Sequence, residues 1–149
     1  MTIPGQLKLA GVAVALYAGW NARSLFDAWQ HSPFDHWDVV AWMIWIIPPI
    51  LSLRGTQEVR LTWIITALVL TFAGALLDLN LLRHLGFAVA CAGLTAPCRG
   101  FWLWLPMALT WMPAFGWLLS KYGLGLIAIG LLRVGFATAG TIGYVSLKR

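Results

Sequence analysis

Six apolar stretches follow one another along this chain of 149 residues, and only short polar breaks separate them. A helix needs about 20 residues to cross a bilayer, with a range near 17–25. The sequence therefore predicts an all-α fold, a polytopic transmembrane helical bundle of about six spans, as one integral membrane domain over residues 1–149. The stretches cover residues 9–26, 37–53, 61–77, 81–96, 101–119 and 124–147.

The third and fourth stretches are at or below the length that a membrane-spanning helix needs. They are joined only by Asp78, Leu79 and Asn80. These two helices can therefore form a short hairpin that does not fully cross the membrane, and bundles of four or five spans stay open as alternatives.

Composition excludes a water-soluble globular protein, a disordered tail, a nucleic-acid-binding domain and a secreted disulfide-rich domain. Hydrophobic residues make up 60% of the chain and charged residues 10%, whereas soluble domains have about 45–50% and 25%. The net charge is +5, but Lys and Arg are scattered singly between the apolar stretches. That pattern is typical of topology signals and not of a phosphate-binding patch, so no nucleic-acid partner is predicted.

The distribution of basic residues predicts the orientation. If the N-terminus is cytoplasmic, six Lys and Arg residues lie on the cytoplasmic side and three lie on the other side, which favours both termini in the cytoplasm. No small-residue cleavage site follows the first stretch, which we expect to remain as a helix in a bacterial-type inner membrane. The cytoplasmic set is Lys8, Arg54, Arg60, Arg99, Lys148 and Arg149, and the opposite set is Arg23, Arg83 and Lys121.

The polar segment from Asn21 to Asp38 contains the potential metal ligands His31, Asp35, His36 and Asp38. Their spacing does not match a known zinc pattern. We therefore predict a hydrated loop at the membrane interface and no metal site.

Two histidines on different helices can ligate a b-type haem if they face each other. His36 and His84 each begin an apolar stretch on the same predicted side, which makes them the haem candidates. Both lie at span ends, where histidine is easily hydrated, so no cofactor is predicted from them.

Ten tryptophans occur in the chain. Those near span ends are typical of an aromatic belt at the membrane interface. The deeper ones either line a groove for lipid, quinone or pigment or fill helix contacts, and the second interpretation is favoured. The belt set is Trp37, Trp102, Trp104 and Trp117, and the deeper set is Trp42, Trp45, Trp63 and Trp111.

Arg133 lies inside the sixth stretch. A charge within a span is costly and usually faces the bundle interior, where it finds a partner. Asp78 is the acidic residue nearest to a span among the central helices, so we predict an intramembrane Asp78–Arg133 ion pair. A snorkelling arginine and a transport site are the alternatives.

Small residues recur every four positions in the sixth stretch, at Gly135, Ala139 and Gly143. This spacing aligns them on one face of a helix. Rows of small residues permit close helix packing in membranes, so this face is the predicted interface with a partner subunit. Packing against another helix of the same chain is the alternative.

Cys91 is the candidate nucleophile, but no histidine, aspartate or glutamate follows it in the chain. Covalent catalysis needs a base beside the nucleophile, and a cysteine among Ala, Gly and Leu is typical of a small core residue. The residues themselves therefore favour a chain that is not an enzyme.

One segment resembles the exosortase/archaeosortase family of multi-span transpeptidases. Trp29, Ser32 and His36, then Pro48-Pro49 and Arg54, are similar to the family's first membrane segments. Ala90-Cys91-Ala92-Gly93-Leu94 is similar to the motif around the catalytic cysteine, with Thr95 in place of the arginine. The resemblance implies a reduced relative in which Cys91 is the nucleophile and Arg133 stands for a second arginine.

The sequence as a whole predicts a non-enzymatic structural or accessory subunit of a larger inner-membrane complex. Its partners are expected to be other integral membrane subunits and lipids. A reduced exosortase-like cysteine transpeptidase and a small transporter are the alternative functions.

Overall fold

A computed structural model of the chain describes residues 3–33, 35–54 and 59–147. Every regular element in these ranges is helical, which confirms the predicted all-α class. The elements are α1 (Ile3–Asn21), α2 (Ser24–His31), α3 (Asp38–Trp45), α4 (Ile47–Leu53), α5 (Leu61–Leu76), α6 (Asn80–Leu94), α7 (Phe101–Trp104), a 3₁₀ segment (Leu105–Trp111), α8 (Pro113–Lys121) and α9 (Leu126–Ser146).

Prolines and short turns divide several of the apolar stretches. The second stretch becomes α3 and α4 around Pro48-Pro49, and the fifth becomes α7, the 3₁₀ segment and α8. At 1.5 Å per residue, α5 and α6 are about 24 and 22 Å long, whereas α9 is about 31 Å long. Within the described ranges, α9 is the one helix that is long and apolar enough to cross a membrane.

The chain divides into two compact units, each built from two separate stretches of sequence. The first unit comprises Met1–Ser24 and Pro49–Ala96, and the second comprises Leu25–Pro48 and Pro97–Arg149. The expectation of a single domain stays a prediction.

The first unit is a helical hairpin with α1 packed against it. Helices α5 and α6 pack along their length, and Asp78 in the turn between them has a φ of 53°, a left-handed conformation that Asp tolerates better than most residues. A Cβ at Gly86 would lie 3.0 Å from the Thr71 nitrogen. The small residues Ala18, Ala67 and Ala90 are fully buried at the centre of the unit. The helices of this unit therefore pack through close backbone approach.

The second unit is organised around buried polar and aromatic groups. Residues 48 and 49 are prolines, which lack the N–H groups that would bond the Ile44 and Trp45 carbonyls in a continuous helix. The Thr141 hydroxyl donates to the Ile44 carbonyl at 3.1 Å, and the Trp104 indole donates to the Trp45 carbonyl at 2.8 Å. Side chains of this unit thus satisfy the carbonyls at the end of α3.

Trp45 and Trp104 form a reciprocal pair at the centre of the second unit. The Trp45 indole donates to the Trp104 carbonyl at 3.1 Å, which mirrors the bond in the other direction. The two rings stack with centroids 4.5 Å apart and an interplanar angle of 12°. Both side chains are fully buried, so the pair combines apolar packing with satisfied indole donors.

Candidate functional site

The second unit contains a buried cluster of charges centred on Arg133. The Arg133 guanidinium is fully buried; its Nη2 lies 2.7 Å from Oδ1 of Asp35 and its Nη1 forms an ion pair with Asp38. Nη1 also donates to the Thr110 carbonyl at 2.8 Å. The centroid of the Phe115 ring lies 5.7 Å from the guanidinium carbon. Three elements and a turn therefore converge on one side chain.

The two carboxylates are brought together by a tight turn between α2 and α3. The Asp35 amide donates to the Ser32 carbonyl, and the Asp38 amide donates to the Asp35 carbonyl, both at 3.1 Å. A spacing of three residues in helical turns places both side chains on one face. Asp38 lies in the first turn of α3, where the helix dipole stabilises a negative charge.

The remaining contacts depend on a helix break and on a glycine. Pro113 begins α8 after Met112, which has an extended ψ of 137°, and the break leaves the Thr110 carbonyl available to Arg133 because the last carbonyls of a helical segment lack intrahelical donors. A Cβ at Gly116 would collide with the Arg133 guanidinium and lie 2.9 Å from Oδ1 of Asp35. Glycine at this position makes room for the ion pair.

The cluster has one more carboxylate than it has guanidinium groups. Both Asp35 and Asp38 are buried, with 5% and 0% of their surface exposed. Among the described residues no hydrogen-bond donor reaches Oδ2 of Asp38. Two ionised carboxylates and one guanidinium sum to a net charge of −1, which low-dielectric surroundings make costly unless a cation or proton compensates it.

A cleft opens beside the cluster on the Asp35 side. Its volume is about 510 Å³, and its walls combine a carboxylate, two hydroxyls and an indole with small apolar groups. The indole, that of Trp117, is 60% exposed, and the Lys121 ammonium lies 3.9 Å from the centroid of its ring. The lining residues are Ser32, Asp35, Pro113, Ala114, Trp117 and Ser120.

The acidic partner predicted for Arg133 is wrong. Asp78 forms an ion pair with Arg83 at 2.8 Å, and its side chain is 90% exposed, whereas Arg133 is paired with Asp35 and Asp38. The hydrated loop predicted for Asn21–Asp38 is also wrong in part. Helix α2 (Ser24–His31) occupies part of that segment, and Asp35 and Asp38 at the end of the segment are buried.

The histidines of the sequence hypotheses have separate local partners. His31 donates from Nδ1 to the Asp27 carbonyl at 2.9 Å, and His36 donates from Nδ1 to the Trp29 carbonyl at 3.1 Å. In the first unit, Nε2 of His84 lies 3.1 Å from the Ser24 hydroxyl. Within residues 3–33, 35–54 and 59–147, no three His, Cys, Asp or Glu side chains are placed to hold a metal ion.

Cys91 and Trp104 are both buried. Cys91 is 3% exposed and lies on α6 within the first unit, so a substrate reaches its thiol only if the surrounding helices move.

Trp37, Trp102 and Trp117 are exposed as an aromatic belt requires, whereas Trp104 is fully buried. The assignment of Trp104 to the interfacial belt is therefore wrong.

The small-residue line of α9 is partly open. Gly135 and Ala139 are exposed, and no described atom outside the local helix lies within 4 Å of a Cβ built at Gly135. Gly143 is half-buried, and a Cβ there would lie 3.4 Å from the Leu103 side chain. The Leu103 side chain of the same unit therefore lies beside the Gly143 end of this line, whereas the Gly135 end is uncovered.

The buried charge at Arg133 was predicted from the sequence, but its partners Asp35 and Asp38 were not. The available signal was the pair of aspartates three residues apart at the start of the second apolar stretch, since this spacing suits two contacts with one guanidinium.

Comparison with known proteins found no matching family model, curated protein or solved structure. The exosortase resemblance stays a prediction.

Proposed function

We propose that the chain is a polytopic integral membrane protein with about six helices in a bacterial-type inner membrane. One observation on α9 carries this proposal. Arg133 is the single charged residue of this helix and is fully buried, while its exposed large side chains are apolar. A soluble helix has the opposite arrangement, with charges outward and apolar groups inward.

The exposed faces of other helices support the same assignment. Large apolar side chains are more than 60% exposed on α1, α5 and α9, a surface that lipid or partner helices would cover. The most exposed of them are Leu16, Trp20, Phe72, Leu76, Ile127 and Leu131.

Within the membrane, we propose a non-enzymatic accessory role in a larger complex. Gly135 and Ala139 provide an uncovered line where a partner helix can approach closely, which is the main source of helix association in lipid. The buried position of Cys91 supports a packing role for this cysteine. Partner subunits and lipids would then cover the apolar faces of the helices.

Labelling with a membrane-impermeant maleimide tests the topology. In a Cys91→Ala/Cys98→Ala background, we expect whole cells to label Asp78→Cys and Lys121→Cys but not Arg54→Cys or Arg99→Cys. Lysed cells should label all four. Equal labelling of all four in whole cells, or recovery of the protein in the soluble fraction, would contradict six spans with cytoplasmic termini.

Co-purification from mild detergent tests the accessory role. We expect Gly135→Leu and Ala139→Leu to release the protein from its partners while it remains inserted in the membrane. Ala75→Leu is the matched control, because Ala75 is an exposed small residue on α5 outside the proposed interface. Unchanged recovery of the intact complex with both leucines on α9 would disprove this interface.

A further inference from the structure

We propose that the cleft beside Asp35 binds an organic ammonium group, with the positive nitrogen toward the Asp35 carboxylate and its carbon substituents against Trp117. The proposal concerns the second unit alone and does not depend on the accessory role. It rests on the charge of the cluster, on the aromatic wall of the cleft and on the composition of the remaining walls.

The charge of the cluster favours a cation. Arg133 faces both Asp35 and Asp38, so one negative charge is left when both carboxylates are ionised. Oδ2 of the fully buried Asp38 has no hydrogen-bond donor among the described residues. Attraction between opposite charges is stronger near the protein interior than in water, and Asp35 is the carboxylate that lines the cleft.

The aromatic wall favours an ammonium group in particular. A cation within about 6 Å of an indole centroid is attracted by the ring face. The Lys121 ammonium already occupies such a position, 3.9 Å from the Trp117 centroid. Because a ligand ammonium would use the same ring, we expect Lys121 to act as an intramolecular competitor.

The other walls favour an organic cation over a metal ion. A calcium ion takes six to eight oxygen ligands, whereas this cleft offers one carboxylate and the hydroxyls of Ser32 and Ser120 beside the apolar walls of Pro113 and Ala114. The Ser120 hydroxyl donates to the Trp117 carbonyl at 2.8 Å, so its oxygen lone pairs can accept a bond from an N–H group. A cleft of about 510 Å³ lies within the usual size range of small-molecule sites.

Calorimetric titration with ethylammonium tests the proposal on the full chain. The protein is placed in phosphatidylglycerol nanodiscs, and the heat of the same titration into empty nanodiscs is subtracted. We expect saturable binding that Trp117→Leu weakens at least tenfold and that Lys121→Met tightens severalfold. Trp102→Leu is the control, because Trp102 is 66% exposed in the same unit but outside the cleft, and it should bind as the unchanged protein does.

The ammonium can come from a lipid headgroup or from a free amine, and a second lipid composition separates these sources. If phosphatidylethanolamine in the nanodiscs weakens ethylammonium binding, the headgroup occupies the cleft; if it has no effect, the ligand is a soluble amine. Absence of saturable binding in phosphatidylglycerol, or equal affinities for the unchanged protein and Trp117→Leu, would overturn the proposal.

Discussion

The two units use different means to hold their helices together. In the first unit, Gly86 and Gly93 allow side chains and backbone of neighbouring helices to approach closely, and its ion pair between Asp78 and Arg83 lies at the surface. In the second unit, Arg133 and the Trp45–Trp104 pair supply hydrogen bonds to main-chain carbonyls in the interior.

The difference follows from the continuity of the helices. The long helices α5 and α6 satisfy most of their own backbone groups, so small residues and close packing are enough to join them. Prolines and helix breaks in the second unit leave carbonyls without main-chain donors. Side chains such as Trp104 and Arg133 must reach those carbonyls, because a buried polar group without a partner is costly.

The largest effect is expected from removal of Arg133. Arg133→Met leaves Asp35 and Asp38 buried without a cation, and loss of one partner from a buried ion pair costs about 3–5 kcal/mol of unfolding free energy. Denaturation of the purified protein in mild detergent measures this change. Adding Asp35→Asn and Asp38→Asn should recover part of the loss. Equal stability of Arg133→Met and the unchanged protein would show that the cluster does not stabilise the second unit.

A smaller loss is expected when the close helix approach of the first unit is disturbed. A Cβ at Gly86 would lie 3.0 Å from the Thr71 nitrogen and 3.2 Å from the Ala67 oxygen. Overpacking of this kind costs about 1–3 kcal/mol, so Gly86→Ala should lower the unfolding free energy in the same assay. Gly135→Ala is the control, since its Cβ enters open space and Ala favours a helix. A neutral Gly86→Ala would mean that α5 and α6 separate easily.

The tryptophan pair should give an unequal result for its two members. Trp104→Phe leaves the Trp45 carbonyl without its donor, and Pro49 cannot replace that donor with a main-chain N–H. An unsatisfied buried acceptor costs about 1–3 kcal/mol, so we expect Trp104→Phe to destabilise the protein more than Trp45→Phe. Trp102→Phe, at an exposed position, should remain within about 0.5 kcal/mol of the unchanged protein. An equal loss for Trp45→Phe and Trp104→Phe would contradict the role of Pro49.

The smallest effect is expected at the surface ion pair of the first unit. Asp78→Asn removes the charge that faces Arg83 but keeps a residue type that tolerates the left-handed backbone of this turn. Exposed pairs contribute about 0–1 kcal/mol, and the loss should shrink further as salt is raised. If Asp78→Asn lowered the unfolding free energy as much as Arg133→Met does, the two units would not differ in their dependence on ion pairs.

The hydrophobic pattern predicted the helical class and the approximate positions of the long helices. The predicted stretch at residues 61–77 corresponds to α5 (Leu61–Leu76), and the stretch at 124–147 corresponds to α9 (Leu126–Ser146). These segments are continuous and apolar, so local composition is enough to define them. The predicted pair of short helices joined at Asp78 is likewise present.

Local sequence patterns could not predict the partners of Arg133, because these residues are distant from it in sequence. Asp35 and Asp38 lie in a polar segment, and composition gives no indication that such a segment is buried. Their burial depends on a fold that brings them to Arg133, which lies 98 positions after Asp35. Trp104 was misassigned for a related reason: it lies near the start of the predicted stretch at residues 101–119, where an interfacial tryptophan is expected, and the carbonyl that it bonds lies 59 positions away.

The distance in sequence between Asp35 and Arg133 has a consequence for synthesis of the protein. The 98 positions between them take roughly 5–20 s to translate at about 5–20 residues per second. During that interval both carboxylates exist without their cation, so the turn between α2 and α3 must stay hydrated until α9 has emerged. Completion of the second unit is therefore a late event, and a chain that stalls before residue 133 exposes two aspartates that the finished protein conceals.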